Sequence, residues 1–189
     1  MTKPSVVEKF EPLKAVAALA YLWKGSKGTT YTLLKMLYLA DRYHLERYAR
    51  TITGDIYVAM DQGPVASGAY DILKCARGKE LPPEISEIAR RHFRVDADHR
   101  LALLEEPDFD ELSDSDVHAL QHAVSTFDFL GSAEVRHLSH DKAWRIVRQR
   151  GGNGGNAPLM DLLTIAGTLR DGEALAAHLA DSQPGEAVG

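Results

Sequence analysis

The chain has 189 residues, 44% hydrophobic and 26% charged, with a formal net charge of −5. That length buries a sizeable core without disulfide or metal staples, and the composition is that of an ordinary globular protein. No apolar run approaches the roughly 18 residues of a membrane span, the opening MTKPSVVEKFEP lacks the apolar core of a signal peptide, and the single cysteine, Cys75, has no intrachain partner; together these predict a reducing, cytoplasmic setting.

The first predicted helix runs from about Pro12 to Lys24, with Val16, Leu19, Ala20 and Trp23 on one face. Gly25-Ser26-Lys27-Gly28 ends it. A second helix starts near Thr29 or Thr30, either of which can cap it, and reaches about Arg50. Gly54-Asp55 breaks the helical period, and the alternation over Ile56–Asp61 suits a short strand followed by a Gly63-Pro64 turn. A third helix is expected from about Val65 to Arg77, and a short one opening at Pro83. Apolar stretches on either side of Asp96-Ala97-Asp98 suggest a hairpin. Ser113 caps the next helix, with Asp114 and Asp116 at its positive dipole end and Gly131 as its stop. Short helices are expected over AEVRHL and DKAWRIVRQR, then a helical segment from Pro158 to Ala166 and a last helix over about Asp171–Ala180. The fold class is therefore α+β and predominantly helical: one domain of about six to eight helices with a small antiparallel sheet. Residues 1–150 form its main body. GGNGGN, 151–156, is a connector, 157–182 a helical segment on or extending the same domain, and 183–189 a disordered tail.

The charge is unevenly spread. Residues 1–100 carry 16 bases and 12 acids, whereas residues 101–189 carry 6 bases and 15 acids. Residues 105–116, EEPDFDELSDSD, hold seven acids and no base. Such a segment is either a solvated loop leading into a helix N-terminus or a docking surface for a basic partner. The candidate docking residues are Glu105, Glu106, Asp108, Asp110 and Glu111.

At 100° per residue, Leu34, Leu37, Leu45 and Tyr48 share one face of the second helix, and Asp41 lies inside that stripe. His44 sits beside it, while Lys35, Arg42 and Glu46 fall opposite. A carboxylate in an apolar stripe must be paired or hydrogen-bonded. Its candidate partners are His44, Arg47, or backbone N–H groups of a packed turn such as Asp61-Gln62-Gly63; a bond from His140 is the most specific expectation. Asp41 is then either a satisfied structural acid or, with His44, part of a polar pocket. Asp and His can form an acid–base pair, but no nucleophile or third member accompanies them.

LLKMLYLADRYHLERYARTITGDIYVAMDQGPVASGAYDILK, residues 33–74, resembles the signature of the Panacea domain, the SocA-like antitoxin family. The matching features are the helix from Lys35 to His44 with Tyr38 and Asp41 inside it, the Gly63-Pro64-Val65 element, and an aromatic residue in the following helix, Tyr70. An acid-capped helix, SDSDVHALQHAV, and the run from Ser139-His140 to Trp144 continue the resemblance, which spans about residues 10–148. It implies an antitoxin that neutralises a cognate protein toxin, encoded by an adjacent gene, by direct contact. It also allows an adaptor role that delivers the toxin to a Clp-type ATP-dependent protease. Tyr38, Asp41, His44, Gly63, Pro64, Tyr70, His140 and Trp144 are then scaffold residues, with no catalytic residue and no cofactor. A hydrolase using Asp41 with His44 or His140 is the enzymatic alternative. Homo-oligomerisation is left open.

The remaining constellations are weaker. His118 and His122 have metal-ligand spacing but no HExxH motif or cysteine pair beside them, so no metal is expected. Gly151–Gly155 lacks the Lys-Ser/Thr of a phosphate loop. Arg90, Arg91 and Arg94, and Lys142, Arg145, Arg148 and Arg150, form basic stretches that suit solvated faces better than a nucleic-acid surface at this net charge. Cys75 reads as a structural thiol, and no convincing helix-turn-helix stands out.

Overall fold

A computed structural model describes residue 6, residues 8–150 and residues 157–182. The 151–156 connector and the 183–189 tail of the sequence reading lie outside them. The elements, in chain order, are α1 (Pro12–Ser26), α2 (Thr30–Tyr48), β1 (Tyr57–Met60), β2 (Gly63–Ala66), α3 (Ser67–Ala76), α4 (Pro83–His92), β3 (Phe93–Val95) and β4 (Leu101–Leu103). A 3-10 turn (Phe109–Glu111), α5 (Asp114–Ser139), α6 (Lys142–Arg150), β5 (Leu159–Met160), α7 (Leu162–Ala166) and α8 (Gly172–Asp181) follow. The fold is thus helical α+β, as its periodicity indicates.

The core is built around α1. Ala15, Val16, Ala17, Ala18, Leu19, Ala20 and Leu22 are all fully buried. The expected face is buried at Val16, Leu19 and Ala20, and burial extends round the whole circumference over residues 15–20, while Leu13 and Lys24 near the ends are exposed. A helix apolar all round belongs in an interior, and its alanines let α2, α3, α4 and α5 approach its backbone. α2 packs most extensively on α5.

The main sheet is antiparallel in the order β2-β1-β5, with Tyr57 opposite Ala66 on one side and Met160 on the other. Gly63 and Pro64 open β2 rather than forming the turn, which falls on Asp61-Gln62. Pro64 is tolerated because β2 is an edge strand and Pro lacks only a donor there. The continuous helix expected over 158–166 instead starts as β5, since Leu159 and Met160 pair with the open edge of β1. Asp161 then caps α7 by accepting from Thr164 N–H at 2.8 Å. β3 and β4 form the hairpin around Asp96-Ala97-Asp98.

Ser113 caps α5 in a reciprocal capping box with Asp116. Gly131, at φ 77° and ψ 176°, ends the first helical run, and a second run reaches Ser139. The predicted strength of the α1 packing is testable. Ala18→Leu adds a branched side chain to a fully enclosed site and is expected to destabilise the fold by about 1–3 kcal/mol, read from the urea unfolding midpoint.

Candidate functional site

α2 carries four buried polar side chains at three-residue intervals: Lys35, Tyr38, Asp41 and His44, each no more than 2% exposed. A three-residue step falls about 60° short of a full turn of an α-helix. The row therefore winds half-way round α2, and each member meets a different neighbour.

Lys35 Nζ donates to Pro64 O in β2 at 2.6 Å. The ring of Tyr31 lies 5.0 Å from the same ammonium. Burial, reinforced by the charge of Arg136, lowers the Lys35 pKa to about 8. The sequence places Lys35 opposite the apolar stripe, and that geometry holds. Its implied exposure does not, because β2 and the end of α5 cover the far side. Gly63 sits at this crossing with φ +100°, and a Cβ there would lie 3.1 Å from Lys35 Nζ, 3.1 Å from His140 Cε1 and 3.2 Å from Ser139 Oγ.

Tyr38 donates to Asp141 Oδ2 at 2.8 Å, and Arg42 Nε lies 3.0 Å from that oxygen. The other Asp141 oxygen accepts from Trp144 N–H at 2.9 Å at the start of α6. Trp144 Nε1 in turn donates to Met60 O in β1 at 2.9 Å. His140 packs edge-on to the Trp144 ring at 4.4 Å, with Nδ1 2.7 Å from Arg136 O. Tyr38 and Trp144 thus clamp α6 between α2 and the sheet.

Asp41 accepts from Ile52 N–H at 2.7 Å and from Tyr57 OH at 2.6 Å. The donors are a turn N–H and a strand tyrosine, so the expected bond from His140 is corrected. So is the expectation that the 61–63 turn supplies the donor. Burial raises the Asp41 pKa to about 7, against the lowering pull of these two bonds and with help from Asp55 and Glu8.

His44 places Nδ1 2.8 Å from Arg50 O, and Nε2 3.0 Å from Ser115 Oγ and 3.2 Å from Asp116 Oδ1. Burial is the leading cause of its lowered pKa. Asp116 is itself fully buried and draws Lys14 to 3.0 Å and Arg50 to 3.1 Å. Ser113 donates to it through both N–H and Oγ. The sequence reading leaves Asp116 as a helix-end acid; it is an ion-paired centre joining α1, α2 and α5.

Other predicted residues fall outside this row. Tyr70 is half-buried, with Lys74 Nζ 4.6 Å from its ring. Glu105 pairs with Arg91 at 2.6 Å and Glu106 with Lys24 at 2.5 Å, while Asp108 Oδ1 accepts from Asp110 N–H. His122 stacks on Tyr43 at 4.0 Å and His118 meets the same ring edge-on at 5.6 Å. Both histidines are exposed, and their rings also contact Tyr43 across the α2–α5 interface. Among the described residues no group of three or more His, Cys, Asp or Glu side chains could hold a metal ion.

Asp55 is a polar contact that the sequence reading misses. It accepts from Gly68 N–H and Ala69 N–H, both at 2.8 Å, and so caps α3 from a distant loop. No short-range motif signals such a cap. Asp41 and His44 are enclosed and bonded to protein groups, so they offer no open acid–base pair.

Asp41→Ala strands a buried N–H and a buried hydroxyl, and is expected to cost about 2–4 kcal/mol in chemical denaturation. The folded chain holds the Asp41 proton up to about pH 7, whereas an ordinary aspartate loses it near 3.8. The folded state therefore binds more protons between those values, and this group's contribution to stability falls as pH rises from about 4 to 7. Asp41→Asn should remove that component, so the difference between the two unfolding free energies should vary across this window and level off above it. At the crossing with α5, Gly63→Ala combines left-handed strain with crowding and should cost about 1–3 kcal/mol on the same assay.

No curated protein and no solved structure matches the chain significantly. Residues 33–145 match the family described as antitoxin SocA-like, Panacea domain. That stretch holds the whole α2 row, the β1–β2 hairpin, α5 and the Trp144 clamp, and it covers more than half of the 189 residues: the chain belongs to the SocA-like, Panacea-domain family.

Proposed function

We propose that this protein is an antitoxin that neutralises a cognate protein toxin by binding it directly. The observation that supports this most is the family match over residues 33–145. The internal chemistry agrees with a binding role. Asp41 and His44, which the enzymatic alternative would use, are spent with Lys35 and Tyr38 on joining segments of the fold. What remains for a partner is surface. The acidic residues Asp108, Asp110 and Glu111 are exposed and have no cationic partner among the described residues. An acidic surface of this kind speeds encounter with a basic partner and favours it over an acidic one.

Co-expression provides the test. The small reading frame adjacent to this gene should arrest growth alone and be tolerated when this protein is present, and the two products should co-purify. Absence of both rescue and complex would sink the proposal. Toxin half-life in the rescued cells separates simple blocking from delivery to a Clp-type protease: a stable toxin means blocking, and rapid loss that depends on the protease means delivery.

A further inference from the structure

A groove of about 410 Å³ runs between α1, the 3-10 turn and the first half of α5. Its walls are largely apolar, formed by Tyr21, Phe109, Leu112, Val117 and Val124. The two polar side chains that reach it are already engaged. Lys24 Nζ is held by Glu106 at 2.5 Å and lies 5.3 Å from the Phe109 ring centre. Gln121 Oε1 accepts from Tyr21 OH at 2.8 Å. The interior therefore offers contact area but few free hydrogen-bonding groups. A small-metabolite site normally adds convergent polar groups that fix orientation, and these are lacking here.

Lys24 is the one charged side chain of the lining, and it is paired with Glu106; the chain segment that supplies Phe109 and Leu112 is otherwise acidic. Phe109 and Leu112 bracket Asp110 and Glu111, with Glu106 and Asp108 just before and Asp114 just after. All five carboxylates are exposed, and only Glu106 has a cationic partner among the described residues. An apolar slot walled in part by an acidic segment suits an apolar anchor carried on a basic strand or helix. The anchor gives area in a desolvated centre, and the flanking bases meet the acidic segment.

We infer that this groove seats one large apolar side chain from a basic segment of a partner protein. This rests on the reading that the chain binds a protein toxin, and it names the surface and the partner's chemistry.

The test uses the full chain and a random peptide library displayed on phage. Selected peptides should carry a Phe, Leu or Trp flanked by Lys or Arg. Gln121→Trp fills the slot from its exposed edge, and the double variant Asp110→Lys with Glu111→Lys reverses the charge of that segment. Each should weaken a selected peptide about tenfold, with the melting temperature unchanged, and the double variant should also flatten the salt dependence. Glu173→Lys on α8 should leave binding as it was.

Selection of acidic or uncharged sequences, or peptides indifferent to both variants, overturns the inference. A dimer in sedimentation that Gln121→Trp dissociates also overturns it, by assigning the groove to a second copy. Displacement of the peptide by a small apolar compound alone, with no effect of the segment's charge, overturns it likewise. Peptide binding without growth rescue would count against the antitoxin reading and leave the groove standing. Rescue that survives both variants would do the reverse.

Discussion

Everything in this fold has to accommodate one carboxylate. Asp41 sits in the middle of the longest fully helical run, inside the core, with both oxygens removed from water. An unpaired charge there would be prohibitive, and the fold avoids it in two ways. It supplies two short hydrogen bonds, from Ile52 N–H and Tyr57 OH, and burial keeps the proton on the acid to about pH 7. The first condition places the chain between α2 and β1, because residue 52 and residue 57 must both reach the same side chain. Once β1 is placed, β2 and β5 pair to it, and Trp144 reaches Met60 on it. Much of the tertiary arrangement thus traces back to one acid in an apolar stripe.

The row from Lys35 to His44 extends the same logic along α2. Hydrophobic contacts tolerate sliding, whereas each of these groups loses a specific partner if its neighbour shifts. Lys35 fixes β2, Tyr38 fixes the start of α6, Asp41 fixes the 52–57 segment and His44 fixes the entry to α5. At the far end, Asp116 gathers Lys14, Arg50 and His44, so α1 is tied in as well. A motif made of such residues looks like an active site in a sequence because both require polar groups at fixed spacing. Here the polar groups are directed at the protein's own backbone and side chains, and the resulting rigid body can present a surface to a partner.

Which features the sequence revealed follows from the range of the interactions involved. Helices with local signals are legible: the Thr29 cap, Pro12 and Pro83 at helix starts, and Ser113 with Asp116 all act within a few residues. Asp41's need for donors is legible from its stripe, and a turn N–H is among the donors the sequence offers, whereas Tyr57 OH is not. Which turn it is depends on packing between distant segments, so Ile52 is not legible. Lys35 is misleading because a lysine outside the apolar stripe suggests solvent, and only the arrival of β2 and α5 covers it. β5 is invisible for a related reason. Two residues carry no period, and Leu159-Met160 become a strand solely because β1 offers an edge. Asp55 capping α3 across the chain is the same kind of case.

The acidic half of the chain also changes meaning once its atoms are placed. Seven carboxylates in residues 105–116 look like one uniform feature. Asp116 belongs to the core, Glu105 and Glu106 are held by Arg91 and Lys24, and the remaining acids stand out over the 3-10 turn. Long-range attraction depends on net charge and includes every unpaired acid, but it is screened over about 8–10 Å at physiological salt. Holding a partner in register needs something shorter in range and less sensitive to salt. Phe109 and Leu112 bracket Asp110 and Glu111 in sequence, and both line the apolar groove. Exposed acids and groove-lining apolar side chains thus share one short segment, which is the arrangement the proposed basic partner requires: the acids would draw it by long-range attraction, and the apolar pair would hold it at contact range.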